Sequence, residues 1–387
     1  MRTPIRRIST GIDVGTHTTR VVIMEQVRGG IPRIIGTGSA ETKGLRHGYI
    51  VNKADATQSI KNAIAQAEKM AELKIKNVFL SVGGISLESA ISHGVAIISR
   101  AGGEVDEKDL QKASLEAERN LSNITNKRIV HRTPIRYKLD GKEVFGTPCD
   151  MIGSKLEVKM LFITYLDQHL QDLIKTVEEA GVEVDEVIPS PIAASQVALS
   201  KKERNVGSTL VNIGAETVSI AVFENDVAIS LQVFPIGSTD ITNDIALGLK
   251  IPLEEAESLK VTKTSGSYSK KKLEEIIQAR LCDIFELIES HLKKINRNGL
   301  LPAGIVLTGG GAGIATIEDL AKGVLKLPSS VARPALANSG KQPVKDSSWL
   351  VAYGLADYAL TKQGDFKKTN WGDVWGTMKS WVKPFLP

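Results

Sequence analysis

Cysteine is nearly missing. Cys149 and Cys282 are the only two in 387 residues, and two thiols so far apart exclude a disulfide-stapled scaffold. No secretory signal is read ahead of them, so a reduced cytosol is the expected setting. Aromatic residues make up only 5% of the chain, and no dense basic patch interleaved with aromatics is present, which argues against a nucleic-acid partner. Long apolar runs are missing too. Nothing approaches the roughly 20 residues of a spanning helix, so the chain is expected to touch a membrane without crossing it. Net charge is a mild +5. Its Lys and Arg residues near the two ends (Arg2, Arg6, Arg7; Lys367, Lys368, Lys379, Lys383) suit an anionic membrane surface.

What is there is concentrated. Three of the four tryptophans, Trp371, Trp375 and Trp381, stand in the last stretch of the sequence, Trp371–Pro387. At about 100° per residue, these three fall with Val374, Met378, Val382 and Phe385 within roughly a 120° arc flanked by Lys379 and Lys383. A Trp-rich face bordered by lysines fits a helix lying in a membrane interface. The competing use is a terminal helix docked on its own domain. Residues 362–370, polar and basic, have the composition of a tether. With 42% hydrophobic and 24% charged residues, the rest suits an ordinary globular protein of two domains or one two-lobed body.

Along the chain, residues 8–23 form a hydrophobic hairpin pattern around a polar, glycine-containing turn. An amphipathic helix is predicted over 54–71, with strands over 78–82 and 86–99. A helix over 106–122 and extended chain over 128–145, with Asp140-Gly141 as its turn, follow. A strand over 156–165, a helix over 167–181 and a strand over 182–188 complete the first half. The second half restarts with a hairpin over 208–223 and a third strand over 226–235. Helices are predicted over 254–260 and 271–294, separated by a polar loop over 262–272. A short strand over 305–307 runs into a glycine turn, a helix over 316–323 and a final helix over 347–361. Two halves that each begin with a hairpin suggest an internal repeat.

Three segments carry chemistry. Gly11-Ile-Asp13-Val-Gly15-Thr16 puts a carboxylate and a glycine at a hairpin tip, where backbone N–H groups can cradle phosphate and the carboxylate can hold Mg2+ through water. Asn212-Ile-Gly214-Ala215-Glu216-Thr217 is the counterpart in the second half. Thr308-Gly309-Gly310-Gly311-Ala-Gly313 follows an apolar strand and precedes a helix, so a ligand can come close to its backbone. Each segment alone is more simply a tight turn with no ligand; their order along the chain is what matters.

In this order, the segments resemble the actin, heat-shock-chaperone and sugar-kinase superfamily, whose two related lobes bind ATP between them. Asp13–Thr16 matches the first phosphate motif, Asn212–Thr217 the second, and residues 305–314 the adenosine motif. Within it, the chain resembles the bacterial division family FtsA nearly end to end. Residues 44–52, 80–84, 188–194, 235–246, 252–260 and 352–356 carry that likeness. The resemblance implies an α/β, actin-like two-lobed fold with a nucleotide cleft, a strand-rich insert (subdomain 1C) in the first lobe, and a C-terminal amphipathic helix on a tether. The implied divisions are 1–84 (subdomain 1A), 85–163 (1C), 164–204 (return and crossover helix), 205–237 (2A) and 238–302 (2B). The remainder of lobe 2 is 303–361, with a linker at 362–370 and the membrane-targeting helix at 371–387.

The resemblance further implies a protein that binds ATP with Mg2+, assembles with itself and tethers FtsZ filaments to the cytoplasmic membrane at the division septum, with other division proteins meeting subdomain 1C. The implied nucleotide site comprises Asp13, Gly15, Thr16, His17, Thr18, Asn212, Gly214, Ala215, Glu216, Thr217, Gly237, Glu257, Lys260, Gly309, Gly310 and Gly311. Arg280, Lys293, Lys294 and Arg297 would meet the acidic, apolar FtsZ tail, or form a solvated helix face. Two departures stand out. Asn212 and Ser219 replace carboxylates usual in the family, and Gly214-Ala215-Glu216-Thr217 replaces Gly-Gly-Gly-Thr. Losing a carboxylate weakens hydrolysis, and Glu216 is expected to add negative charge near the phosphates. ATP binding with slow or absent turnover is therefore expected. Two alternatives share the fold: a PilM-like protein of type IV pilus machines, which needs no anchor of its own, and a sugar kinase, for which no catalytic carboxylate stands out.

Overall fold

The computed structural model describes residues 6–27, 30–100, 102–262, 268–333 and 346–365. Strand β1 (Arg6–Val14) pairs antiparallel with β2 (Thr18–Val27) in unbroken register from Arg6↔Val27 to Val14↔Thr19. Gly15, Thr16 and His17 are left at the tip. Strand β3 (Arg33–Glu41) extends this sheet. A small hairpin of β4 (Leu45–Arg46) and β5 (Tyr49–Ile50) then leads into helix α1 (Lys53–Ala71), whose first turn is capped by the Asn52 side chain. Sequence periodicity passes over β3 because Gly36 and Gly38 dilute its pattern. Those glycines admit α1: a Cβ on Gly38 would lie 2.0 Å from the Ala63 carbonyl oxygen. Strand β6 (Asn77–Val82) returns parallel to β1.

The insert has a sheet of its own. It comprises β7 (Glu88–Ile97), α2 (Glu107–Arg119), β8 (Lys127–Leu139), β9 (Lys142–Val144) and β10 (Lys155–Leu166), with strand order β7-β10-β8-β9. Asp140 and Gly141 both have positive φ, the two-residue turn that Asp-Gly favours. Leu110, Ala113 and Ala117 of α2 pack on Leu156, Val158 and Phe162 as a separate core. The chain returns through α3 (Asp167–Glu178) to β11 (Glu183–Pro189), which joins the first sheet beside β6. Helix α4 (Ser190–Ala198), with proline in its first turn, and the short α5 (Lys201–Val206) cross to the second lobe.

There β12 (Ser208–Ile213), β13 (Val218–Glu224) and β14 (Val227–Phe234) form a meander. Helices α6 (Ser238–Leu249), α7 (Leu253–Thr262) and α8 (Lys270–Lys294) follow. Helix α6 escapes the periodicity, and α8 begins inside the expected polar loop. Strand β15 (Ile305–Thr308) lies parallel to β12. It is followed by a 3-10 turn at Gly310–Gly313, α9 (Ile317–Leu325) and β16 (Ser329–Val331). A further 3-10 turn, Ser347–Trp349, opens helix α10 (Leu350–Asp365).

The two five-stranded sheets repeat one topology, β3-β2-β1-β6-β11 and β14-β13-β12-β15-β16. In each, an antiparallel meander is followed by two parallel strands, so the internal repeat is architectural. Helices α4 and α10 pack together between the lobes, and one core runs from Ile12 and Val22 through Ala193, Ala352 and Leu355 to Leu210 and Phe223. Gly11 lets α10 lie on β1, because a Cβ there would sit 2.2 Å from the Ala352 carbonyl oxygen.

Candidate functional site: the cleft between the lobes

The tips of both meanders and the glycine turn after β15 converge on one cavity of about 380 Å³, within the range of small-molecule sites. From the first lobe it is lined by Asp13, Gly15, Thr16, His17 and Thr18. From the second it is lined by Asn212, Gly214, Ala215, Thr217, Glu257, Lys260, Gly309, Gly310 and Gly311. Glu216 and Gly237 stand outside this lining. Gly237 lies directly beneath the second tip, where a Cβ would be 2.2 Å from the Ala215 carbonyl oxygen. The next amides, of Ser238 and Thr239, donate to the Gly214 and Ala215 carbonyls at 2.9 and 2.8 Å. The Glu216 carboxylate, expected to put charge beside phosphates, instead accepts the backbone N–H of His47 across the cleft.

Arg20, Ser81, Gly48, Gly83, Gly84, Ser347 and Ser348 also line the cavity, and motif matching misses them. For Arg20 the signal lay in the hairpin itself, since it pairs directly across from Asp13. Opposite charges so placed on one face support each other. Ser81 Oγ donates to Asp13 Oδ1 at 2.6 Å. Burial nevertheless raises the Asp13 carboxyl above its ordinary pKa, against that hydrogen bond and the Arg20 charge. Burial likewise lowers Arg20, opposed by Asp13 and Asp346, while its guanidinium lies 5.7 Å from the centre of the Trp349 ring. A carboxylate and a cation that both carry a desolvation cost gain most from a ligand that brings opposite charge.

On the facing wall, Lys260 Nζ bonds Glu257 at 2.6 Å, Thr242 Oγ1 at 2.8 Å and the Ser238 carbonyl at 3.0 Å. Burial would raise the Glu257 carboxyl, but Lys260, Thr242 and, more weakly, His17 from the other lobe bring it below its ordinary value. The glycine turn is fixed by Thr308 Oγ1 donating to the Ser347 carbonyl at 2.7 Å and Ser347 Oγ to the Gly309 carbonyl at 3.2 Å. Gly309 has φ 89°, and a Cβ there would meet Asn212 Oδ1 at 2.3 Å. Together these groups offer peptide N–H groups from apposed turns, two cations and one buried carboxylate. That donor set fits a polyphosphate with a bound cation. Among the described residues, no cluster of three or more His, Cys, Asp or Glu could hold a metal unaided, so a cation here would need the ligand's own oxygens, with Asp13 the buried carboxylate that would help to hold it.

The basic residues expected to meet a partner lie apart from the cavity. Arg280 makes a two-pronged bond to Asp244 at 2.6 and 3.0 Å, Lys293 pairs with Glu289 at 2.9 Å, and Arg297 grips Glu224. Lys294 is exposed. Three of the four are thus engaged within the chain, Arg280 and Lys293 fastening α8 to α6 and to itself, and Arg297, just beyond α8, fastening the following turn to β13. Trp371, Trp375, Met378, Lys379, Trp381, Val382, Lys383 and Phe385 lie outside the described residues. Among those that are described, no helix is long and apolar enough to cross a membrane.

Residues 209–354 match the family described as Cell division protein FtsA, and residues 84–164 match the SHS2 domain inserted in FTSA. Cell division protein FtsA of Bacillus subtilis is 31% identical over 370 residues, covering 90% of this chain and 82% of that protein. Its namesake from Pseudomonas aeruginosa is 29% identical over 381 residues, 93% of this chain and 91% of the relative. Among solved structures, the PilM-PilN type IV pilus biogenesis complex aligns with a TM-score of 0.71 at 18% identity, over 91% of this chain and 98% of that one. MreB5 of Spiroplasma citri bound to ADP aligns at 0.55 and 14% identity, over 94% and 99%. At such identities the likeness shows a shared actin-like fold, and the pilus alternative gains nothing more from it. Sequence identity over nearly the whole length carries further: the chain belongs to the FtsA family of cell division proteins.

Proposed function

We propose that the chain binds ATP with Mg2+ in the interlobe cleft and, in that state, assembles with itself on the cytoplasmic face of the membrane. There it holds FtsZ filaments by their C-terminal tails. The observation that carries the nucleotide part is the convergence of both repeat tips and the glycine turn on one cavity holding Asp13 and Arg20. MreB5 of Spiroplasma citri, of the same fold, has been solved with ADP and with AMPPNP.

The amides of residues 15–18 and of Ala215 and Thr217 are suited to cradle phosphates, with Arg20 neutralising their charge. Glu257 and Lys260 face the sugar, and Gly309–Gly311 let the adenosine approach the backbone. Mg2+, when bound, screens the phosphate oxygens and draws charge from them. Asn212 supplies an amide where a carboxylate would orient water, so turnover is slow. Equilibrium dialysis of the full chain against ATP and Mg2+ tests this reading. Saturable one-to-one binding is expected, and no retained nucleotide would contradict it.

A further inference from the structure

Glu216 sits at the tip of the second meander, yet its side chain leaves the cavity and spans to the opposite lobe. Its carboxylate accepts the His47 backbone N–H at 2.5 Å, and its own carbonyl lies 3.4 Å from His47 Nδ1. His47 occupies the turn between β4 and β5, in the left-handed region at φ 49°. A non-glycine residue there is strained unless its surroundings hold it. The same residue faces the root of the insert, because its carbonyl accepts the Ile85 N–H at 3.3 Å.

The contact with the insert is broad. Gly48 and Gly84 are pressed together so closely that a Cβ on Gly48 would lie 2.5 Å from the Gly84 Cα. Ser86 Oγ donates to Tyr49 OH at 2.7 Å, Tyr49 stacks on His169 with ring centres 4.0 Å apart, and Tyr165 OH reaches the Gly48 carbonyl at 3.4 Å. The turn thus touches both ends of the insert, where it leaves the first lobe and where it returns. Beyond this root, Ser89 Oγ donates to the Leu231 carbonyl at 2.7 Å and accepts the Leu231 N–H at 3.1 Å. That pair ties β7 of the insert to β14, the edge strand of the second lobe.

We propose that Glu216 is a latch across the cleft, joining the second-lobe tip to His47 so that cleft closure and the orientation of the insert change together. This rests on the cleft being the nucleotide site. When closed, the latch slows nucleotide release. When the lobes part, His47 loses its partner and the insert root loosens with it. Losing a hydrogen bond to a charged acceptor should speed release roughly tenfold or more.

The test compares the full chain with Glu216→Gln and Glu216→Gly by two readouts. The first is amide hydrogen exchange without nucleotide. The His47 amide should be protected in the wild type and exchange faster in Glu216→Gly, with residues 84–89 following and Glu216→Gln lying between. The second is dissociation of a fluorescent ATP analogue with Mg2+, expected to quicken in the same order. Equal His47 exchange in all three proteins, or unchanged residues 84–89, overturns the latch, as does an unaltered dissociation rate. If the wild type binds no analogue, the nucleotide reading falls, and the exchange data alone decide whether Glu216 couples the second lobe to the insert.

Discussion

Asp13 and Arg20 show how a single residue's surroundings set its use. Strand register brings them face to face, and burial then works against the charge on each. Arg20 is held over Trp349 inside the cavity, where it would meet the phosphates of the proposed nucleotide. Replacing it by methionine, which keeps the bulk and removes the charge, should weaken ATP binding at least tenfold in equilibrium dialysis with Mg2+, and lysine should restore part of it. Equal affinity of Arg20→Met and wild type would mean that Arg20 only props the hairpin. Of this site, the two tips and the glycine turn were legible in the sequence, because glycine and small polar residues interrupt hydrophobic strands there. Arg20, Ser81 and Ser347 were not, since a motif reports neighbours in sequence while these come from a paired strand, a parallel strand and a distant turn. Glu216 was misplaced for a similar reason: its composition gave its charge, but only the fold shows that His47 takes it up.

At the level of elements, hydrophobic period revealed the helices with one apolar face and failed where packing relies on small residues. Helix α4 is such a case. It is buried along most of its length, so it has no amphipathic stripe, and its partner α10 meets it at Gly354. A Cβ on Gly354 would lie 1.9 Å from the Ala193 carbonyl oxygen, so Gly354→Ala must push the two interlobe helices apart. Overpacking of this kind costs about 1–3 kcal/mol, and the variant should melt several degrees lower. A wild-type Tm would show that the pair can slide. The insert has a different sensitivity. Burial, helped by Arg132, lowers the His131 imidazole to about 4, while the unfolded chain protonates it near 6.5. Its contribution is therefore complete above 6.5 and lost as pH falls towards 4, amounting to about 2 kcal/mol by pH 5. His131→Gln should accordingly lose less Tm than wild type between pH 7 and pH 5. Parallel losses would contradict the assignment.

For the whole molecule, the repeat is visible as topology far more than as identity: two sheets in one strand order enclose a cavity between their matching tips. Chain order alone suggested it, because each half begins with a hairpin. The relative placement of the lobes was beyond sequence patterns, since it depends on α4, α10 and the insert's bond to β14. In the proposed function this body grips a partner and packs against copies of itself, and the Trp-rich segment 371–387 would add weak membrane affinity that assembly multiplies. At this scale the proposed role is to join FtsZ to a lipid surface. The direct measurement is co-sedimentation of FtsZ polymers with anionic vesicles, with ATP and Mg2+, in the presence of the full chain or a chain ending at Asp365. FtsZ is expected in the vesicle pellet with the full chain and not with the truncated one. FtsZ remaining in the supernatant with the full chain, or pelleting equally with both, would contradict it.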